Sequence, residues 1–301
     1  MSDLNYKTCY LCASDRIVEQ ADVNGFSVYK CLNCCLIWVN GCIDPAVIEK
    51  FYNSSYFNSK EKTGYKDYLA EENNHRRNSK NLIYEIQKYL LPGRLSRVID
   101  IGCAYGFFLD EARKHWNAEV FGTEFSAEAS EYARDKLKLN VNRAAFSSSH
   151  YEKSFFDVAC MLGTVEHLIS PLNNLREANA VIKPGGLLVM NTVDTQGWLP
   201  FYSIKPPEHL FYLGRKNIRL LLSKAGFEAL CIKTYFVNYS LVDLMYRMSE
   251  FVSNAMLRAL FSFAAKWVPD FTLLIPTNEM LVIAKKVECA GQNPVLSAKN
   301  Q

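Results

Sequence analysis

A short apolar strand that runs into a glycine-containing loop and then a helix is the feature that most narrowly restricts the fold of this chain. The strand is predicted at 98–101, the loop at 102–106 and the helix at 107–115. Glycine allows backbone angles that other residues avoid, so the loop can approach a ligand closely. A strand and helix in this order, repeated along a chain, build a parallel sheet.

The same alternation continues towards the C-terminus. Apolar strands are predicted at 119–123, 157–162 and 187–191, and helices at 127–138 and 171–182. This pattern indicates an α/β fold, a doubly wound sheet with helices on both faces. Ligands of such sheets bind at the carboxyl ends of the strands, where the strand order reverses.

The loop does not carry the dinucleotide fingerprint, which would require glycine in place of Ala104 and Phe107. It reads Asp100-x-Gly102-x-Ala104-x-Gly106 instead. An acidic residue followed by alternating small residues resembles the first motif of the class I S-adenosylmethionine-dependent methyltransferases. Ala104 stands where that family has its middle glycine.

The resemblance continues in chain order over about residues 80–240. It is carried by Glu124, the segment Leu162-Gly-Thr-Val-Glu-His167, the turn Ile182-Lys-Pro-Gly-Gly-Leu187 and Ala225-Gly226-Phe227. It implies a Rossmann-like sheet of seven strands, the last of them an antiparallel edge strand at 277–285. It also implies that S-adenosylmethionine is the cofactor.

The cofactor site that the resemblance implies lies on the loop and the neighbouring strand ends. Its residues are Asp100, Gly102, Cys103, Ala104, Gly106, Glu124, Phe125, Phe146, Leu162 and Gly163. Glu124 matches the family carboxylate that binds the ribose hydroxyls. The adenine contact stays open, because the expected acidic residue after the third strand is replaced by Arg143-Ala-Ala-Phe146. Phe125 and Phe146 are the alternative, on either side of the ring.

Six of the ten cysteines fall within the first 42 residues. The pairs Cys9-x-x-Cys12 and Cys31-x-x-Cys34 have the spacing of a tetrahedral Zn²⁺ site, and four sulfur ligands leave no open position for catalysis. Two short strands around Asn24-Gly25 complete the likeness to a zinc ribbon. The alternatives are four buried thiols without metal, or Cys35 as a ligand in place of Cys34.

We therefore expect four regions. They are a zinc-binding ribbon at 1–45, a helical and aromatic connecting arm at 46–92, a methyltransferase domain at 93–289 and a flexible tail at 290–301. The arm contains a short helix at 46–52 and a longer one at 71–90, with tyrosines between them that pack on the next domain or cover a pocket. A helical insertion at 238–270 has an apolar stripe that suits a pocket cover or a homodimer face.

Charge and hydropathy limit the partners. Lys and Arg number 34 against 31 Asp and Glu, a net charge of +3 that is too small for a nucleic-acid footprint. No signal peptide and no apolar run of about 18 residues is present, so a cytoplasmic protein without a transmembrane segment is expected. Peripheral membrane contact through 238–270 is the weaker alternative there, since its polar face is sparse and mixed in sign.

The candidate catalytic residues are Glu208, His209 and His167. His209 follows the loop after the fifth strand, and a neighbouring carboxylate can tune an imidazole to act as a base. The alternative is that His209 caps the helix at 215–225. His167 follows the fourth strand, where it can act as a base or bond the backbone.

A narrower resemblance brings these features together. A four-cysteine module, a class I core and a Glu-His pair are similar to the deoxysugar C-methyltransferases, although this chain lacks their C-terminal domain. The resemblance implies base catalysis by Glu208 and His209 on a sugar or nucleotide-linked sugar, with Tyr202 nearby, and C- or O-methylation. The alternatives are an RNA methyltransferase, disfavoured by a ribbon that is not basic, and a non-catalytic scaffold in which Ala104 marks a lost site.

Overall fold

The computed structural model describes residues 2–3, 6–43, 56–57, 67–91, 93, 95–197, 203–241 and 271–287. Several expectations lie outside these residues. They are the helix at 46–52, Tyr202, residues 242–270 of the insertion and the tail at 290–301.

Thirteen strands and five α-helices are assigned within the described residues. The strands are β1 (Ser2–Asp3), β2 (Ile17–Val23), β3 (Phe26–Cys31), β4 (Ile37–Val39), β5 (Cys42–Ile43), β6 (Arg97–Ile101), β7 (Glu119–Thr123), β8 (Asn140–Asn142), β9 (Phe156–Leu162), β10 (Ile182–Val193), β11 (Phe211–Tyr212), β12 (Phe227–Ser240) and β13 (Thr272–Lys286). The helices are α1 (Glu72–Gln87), α2 (Phe107–Trp116), α3 (Ala127–Asp135), α4 (Pro171–Val181) and α5 (Arg215–Lys224).

The main sheet has seven strands in the spatial order β12-β13-β10-β9-β6-β7-β8. The pairs β10–β9, β9–β6, β6–β7 and β7–β8 are parallel. Strands buried on both faces are almost continuously apolar, as β9 is over Phe156–Leu162. The predicted α/β fold with seven strands is confirmed. The order reverses beside β6, so its carboxyl end and that of β9 border the crevice where ligands of such sheets bind.

The last strand corrects the sequence expectation. β13 is antiparallel as predicted, but it lies between β10 and β12, and β12 forms the edge. The two strands pair from Phe227↔Lys286 to Ser240↔Thr272, so β13 is longer than the predicted 277–285. Residues 238–240, assigned to the insertion, belong to this pairing. Alternation along a strand shows which face is buried, but it carries no information about which strand lies alongside.

The ribbon forms around the predicted hairpin. β2 and β3 are joined by Asn24 and Gly25, whose φ angles of 55° and 79° give the left-handed pair that a tight hairpin turn requires. The backbone N–H of Gly25 also donates to Asp22 Oδ1 at 3.1 Å. The strands expected on both sides of the turn are therefore confirmed.

The sequence did not indicate that the ribbon sheet contains a strand from the main domain. Its order is β11-β4-β3-β2, and β11 pairs antiparallel with β4 through Phe211↔Trp38 and Tyr212↔Ile37. Trp38 and Phe211 are both buried in one apolar cluster that spans the ribbon and the main sheet. The two regions thus share a hydrophobic core.

Helix α1 of the connecting arm packs on the main domain. Its apolar positions Leu82, Ile83 and Ile86 are buried, and Arg76 forms 2.7 Å ion pairs with Asp110 and Glu111 of α2. Among the described residues, none of the helices has the length and apolarity needed to cross a membrane.

Candidate active site

The loop after β6 turns the chain through three left-handed residues. Gly102, Ala104 and Gly106 have φ angles of 80°, 48° and 81°. A Cβ on Gly102 would lie 2.7 Å from Thr164 Oγ1, so this position has room only for glycine. Ala104 adopts the conformation that a glycine would take freely, at a strain of about 1 kcal/mol. The loop geometry of the family motif is therefore kept despite the substitution.

Glu124, at the end of β7, is bonded to the loop. Its Oε2 accepts from the backbone N–H of Ala104 at 2.9 Å, and its Oε1 accepts from Ser126 N–H at 2.7 Å. Burial raises the pKa of Glu124, while these backbone hydrogen bonds oppose the shift. Each oxygen keeps a further lone pair for a ligand hydroxyl.

Two observations fit a bound cofactor between the ends of β6 and β9. Asp100 is buried, and its Oδ1 has no hydrogen-bond partner among the described residues. Burial, with a smaller contribution from Glu124, raises the pKa of Asp100 to about 7. Gly163, directly after Leu162 and β9, has a φ of 59° and no atom within 4 Å of its added Cβ position. The crevice therefore has an unpaired carboxyl oxygen of Asp100 on the β6 side and open space beside Gly163 on the β9 side.

The remaining predicted cofactor residues differ in accessibility. Phe125 is 39% exposed, whereas Phe146 is buried and stacks on Tyr151 with ring centroids 6.2 Å apart. Cys103 is buried beside Gly122, where an added Cβ would lie 2.7 Å from Cys103 Sγ. Burial raises the pKa of the Cys103 thiol well above its usual value. Cys103 thus fills the core beneath the loop as a neutral thiol.

A second group of polar side chains lies beyond the carboxyl ends of β9 and β10. Glu166, His167 and His209 each offer one potential metal-ligand atom, a carboxyl oxygen or a ring nitrogen, and these three atoms lie within 4.8 Å of one another. The rings of His167 and His209 meet edge to face with centroids 4.7 Å apart. Three such donors have the composition of a divalent-cation site as well as that of an acid–base site. The fold therefore brings together two residues that are 42 positions apart in sequence.

Backbone hydrogen bonds hold this group in place. His167 Nδ1 lies 2.5 Å from the carbonyl oxygen of Glu208, which assigns the proton to that nitrogen as a donor. Leu210 N–H donates to the carbonyl oxygen of Glu166 at 2.8 Å. Of the two roles considered for His167, the bond to the backbone is therefore observed.

The predicted contact between Glu208 and His209 is not formed. Glu208 Oε1 instead accepts from Lys205 Nζ at 2.9 Å, because the intervening turn brings residues three apart together. Glu208 Oε2 and His209 Nδ1 are buried without a hydrogen-bond partner among the described residues. His209 does not cap α5 either, since Asn217 Oδ1 accepts from the N-cap Gly214 N–H at 2.6 Å.

Burial sets the protonation states of the group. It lowers the pKa of His209 to about 2, with His167 and Lys205 adding to the shift. It lowers the pKa of His167 to about 4 and raises the pKa of Glu166 to about 8. At neutral pH both imidazoles are therefore neutral and Glu166 is protonated. A neutral imidazole with an unpaired nitrogen can accept a proton from a ligand.

Thr164, Glu166 and Lys205 were not predicted from the sequence as functional residues. Thr164 Oγ1 donates within the crevice to the carbonyl oxygen of Ile101 at 3.1 Å. Thr164 and Glu166 both follow β9, and polar residues after a parallel strand are the signal that could have identified them. Lys205 could not be found in this way, because its contact depends on the fold of the loop.

We expect Glu166→Gln to reduce the pH dependence of stability between about pH 6.5 and 8. The pKa of Glu166 rises from 4.5 to about 8 on folding, so the folded chain keeps a proton that the unfolded chain releases. Its contribution to stability is full below about pH 4.5 and is lost as the pH rises from there to about 8. The part that is lost between pH 6.5 and 8 amounts to about 1–2 kcal/mol for one such group. Urea unfolding at several pH values measures it, and the exposed Glu152→Gln is the control. An unchanged slope in Glu166→Gln would contradict the assignment.

The four predicted zinc ligands form a second site. Cys9 Sγ lies 3.6 Å from Cys34 Sγ, Cys12 Sγ lies 3.5 Å from Cys31 Sγ, and all four sulfurs lie within 4.8 Å of one another. Sulfurs bound to one Zn²⁺ in a tetrahedron lie about 3.8 Å apart, so the set fits that metal. Cys35 is outside the set, and its backbone N–H donates to the carbonyl oxygen of Cys31 at 3.0 Å.

Comparison with known proteins identifies the domain. The family model described as "Methyltransferase domain" matches residues 70–232, more than half of the chain. Ubiquinone biosynthesis O-methyltransferase of Coxiella burnetii (strain RSA 493 / Nine Mile phase I) is 28% identical over 141 residues, which are 45% of this chain and 59% of that protein. The protein of the same name from Xanthomonas campestris pv. campestris (strain B100) is 30% identical over 127 residues, 40% of this chain and 52% of its own length. This chain thus spans between half and two thirds of these relatives.

A solved structure shares the fold. A chain from the complex between the Haloferax volcanii Trm112 methyltransferase activator and a methyltransferase aligns with a TM-score of 0.51 and 13% identity, covering 80% of this chain and 98% of that chain. A SAM-dependent methyltransferase from Archaeoglobus fulgidus aligns with a TM-score of 0.48 and 18% identity, covering 73% and 99%. The match to the family model and the order of the strands are consistent with the glycine-containing loop after β6 and with a ligand crevice between the ends of β6 and β9. The chain belongs to the methyltransferase-domain family.

Proposed function

We propose that this enzyme methylates a small hydroxyl-bearing acceptor, a sugar or a nucleotide-linked sugar, at oxygen or carbon, with His209 as the base. One observation carries the proposal. His209 is buried and neutral, its Nδ1 has no partner among the described residues, and a carboxyl oxygen of Glu166 lies within 4.8 Å of one of its donor atoms.

The unpaired polar atoms of the group favour a methyl-accepting substrate that carries several O–H or N–H groups. Glu166 Oε2, Glu208 Oε2 and His209 Nδ1 are all buried without a partner among the described residues. Leaving a buried polar atom unpaired costs about 1–3 kcal/mol. A polyhydroxylated ligand satisfies several such atoms at once, whereas a hydrocarbon ligand satisfies none.

His209 can take up the proton that the acceptor gives up. S-adenosylmethionine, when bound, supplies a methyl group on a positively charged sulfonium. Since the pKa of His209 is low in the buried group of Glu166, His167 and His209, its imidazole is unprotonated at neutral pH. Burial and Lys205 disfavour the positive charge that it gains, so the bound acceptor must raise the pKa of His209 for the imidazole to hold the proton. His167 keeps its bond to the Glu208 carbonyl and holds the loop rather than exchanging the proton.

The cofactor assignment extends the family resemblance to individual residues. Glu124 would bind the ribose hydroxyls with its remaining lone pairs, and Asp100 would be satisfied by the ligand directly or through water. The glycine loop would approach the methionine part, and the space beside Gly163 would receive the ligand. Phe125 suits an adenine contact because its ring is 39% exposed.

The cysteine set would hold one structural Zn²⁺ through Cys9, Cys12, Cys31 and Cys34. Its geometry supports this, since two of the sulfur pairs are 3.5 and 3.6 Å apart and all four sulfurs lie within 4.8 Å of one another. The proposed regions are then a ribbon at 1–45, a connecting arm at 46–92 and a methyltransferase domain at 93–289. A homodimer through the insertion stays a prediction.

Methyl transfer from labelled S-adenosylmethionine to a panel of acceptors tests the proposal. Hydroxyl- and keto-bearing nucleotide sugars form one arm of the panel, and phenols form another, since relatives are named ubiquinone biosynthesis O-methyltransferases. Structured RNA at low salt forms a third arm. We expect label in the sugar arm only. Transfer confined to phenols or to RNA would contradict the acceptor class while leaving the methyltransferase assignment intact.

A further inference from the structure

The backbone of the loop that carries His209 is bridged by one buried tyrosine. Tyr212 Oη accepts a hydrogen bond from the backbone N–H of Lys205 at 2.8 Å and donates one to the carbonyl oxygen of His209 at 3.2 Å. Tyr212 is fully buried. Its phenol therefore fixes both ends of the segment that contains Glu208 and His209.

Tyr212 itself is held by the ribbon. It lies in β11, a strand of two residues that pairs with β4 of the ribbon. Val39 N–H donates to the carbonyl oxygen of Leu210 at 2.8 Å, and Asn24 Nδ2 donates to the carbonyl oxygen of Pro206 at 3.1 Å. Since so short a strand does not persist alone, the order of the loop depends on the sheet that β11 joins.

The ribbon sheet in turn depends on the cysteine set. Cys31 ends β3, and the turn from Cys31 to Leu36 leads into β4. Cys31 N–H donates to the carbonyl oxygen of Leu36 at 2.9 Å within this turn. A module of this size buries too little apolar surface to fold alone, so a bound metal supplies much of its folding energy.

The opposite side of the same loop is bonded to the main sheet. Leu210 N–H donates to the carbonyl oxygen of Glu166, and His167 bonds the carbonyl oxygen of Glu208. The loop thus lies between the ribbon and the end of β9. The cofactor loop is held differently, by bonds from Gly102 N–H to the Thr123 carbonyl oxygen and from Ala104 N–H to Glu124.

We propose that the zinc ribbon positions the catalytic base, and that Tyr212 is the positioning residue through which it acts. Metal binding orders β3 and β4, β4 orders β11, and Tyr212 of β11 sets the backbone of His209. The effect on turnover rests on the proposed function of His209. The effect on loop order does not, because it follows from the sheet and the hydrogen bonds alone.

Hydrogen exchange of the metal-loaded full chain tests the proposal with Tyr212→Phe. We expect amides in 205–213 to exchange at least about 10-fold faster, because both bonds of the phenol are lost. Zinc content and the Kd for S-adenosylmethionine should change less than about 2-fold, and kcat should fall about 10-fold with little change in KM, as a displaced base predicts. Tyr29→Phe is the matched control, since the Tyr29 hydroxyl meets Glu19 on the hairpin at 3.5 Å.

Removing the metal from the wild-type chain with a chelator gives an independent measurement. Exchange in 205–213 should accelerate while amides of β6 and β7 stay protected. Wild-type exchange of the loop in both Tyr212→Phe and the chelated chain would overturn the proposal. Faster exchange with unchanged kcat would support the coupling of ribbon and loop and contradict the base role of His209, so the two proposals fail separately.

Discussion

His209→Ala is expected to lower kcat by about 10²–10⁴-fold, the range that a positioned base contributes, and to leave the Kd for S-adenosylmethionine nearly unchanged. His209 is 6% exposed and neutral, so it presents an acceptor for the proton of the bound substrate. Most residues assigned to the cofactor lie at the ends of β6 and β7 and in the loop between Gly102 and Gly106, which form no hydrogen bond with His209 among the described residues. Steady-state methyl transfer and calorimetry with the cofactor measure the two quantities separately.

The matched control for His209→Ala is His150→Ala. His150 is exposed in a short 3₁₀ turn outside the group of Glu166, His167 and His209. We expect His150→Ala to retain the wild-type kcat. Equal rates for the two variants would show that the base is another group or that the acceptor needs none.

Cys31→Ser is expected to remove the metal and to destabilise the chain by several kcal/mol. Structural zinc contributes roughly 10–16 kcal/mol of apparent binding energy in small zinc modules. The loss here should be smaller, because Trp38 and its neighbours also pack on the main sheet. Cys31 is completely buried, so the substitution also places a more polar hydroxyl in the core. Elemental analysis and chemical denaturation test both expectations.

Cys35→Ser is the control for that experiment. Cys35 adjoins Cys34 in sequence but lies outside the group of four sulfurs. We expect this variant to keep one zinc per chain and nearly the wild-type stability. Loss of the metal in Cys35→Ser, or its retention in Cys31→Ser, would contradict the ligand set.

Much of the fold could be predicted because its signals are local. The strand over Arg97–Ile101, the turn at Asn24-Gly25 and the alternation of strands and helices each depend on a few adjacent residues. The spacing of the cysteine pairs is equally local, and the structure places the four expected sulfurs together. Ala104 keeps the loop conformation, because alanine can adopt a left-handed angle at a modest cost.

The contacts that could not be predicted all join distant parts of the chain. β13 lies inside the sheet rather than at its edge, since pairing with β10 and β12 is decided by packing. Glu208 bonds Lys205 instead of His209, because the turn between them directs the carboxylate there. Glu208 and His209 are adjacent in sequence, yet their side chains do not form the predicted contact.

The sequence by itself determined the class of fold, the glycine-containing loop after β6 and the grouping of four cysteines, because these depend on residue type and spacing along the chain. Only the tertiary structure decided that Glu166, His167 and His209 meet at the end of β9, and that β11 joins the ribbon sheet. Both depend on which segments of the chain pack against one another, and periodicity in the sequence marks the apolar face of a segment but not the partner that covers it.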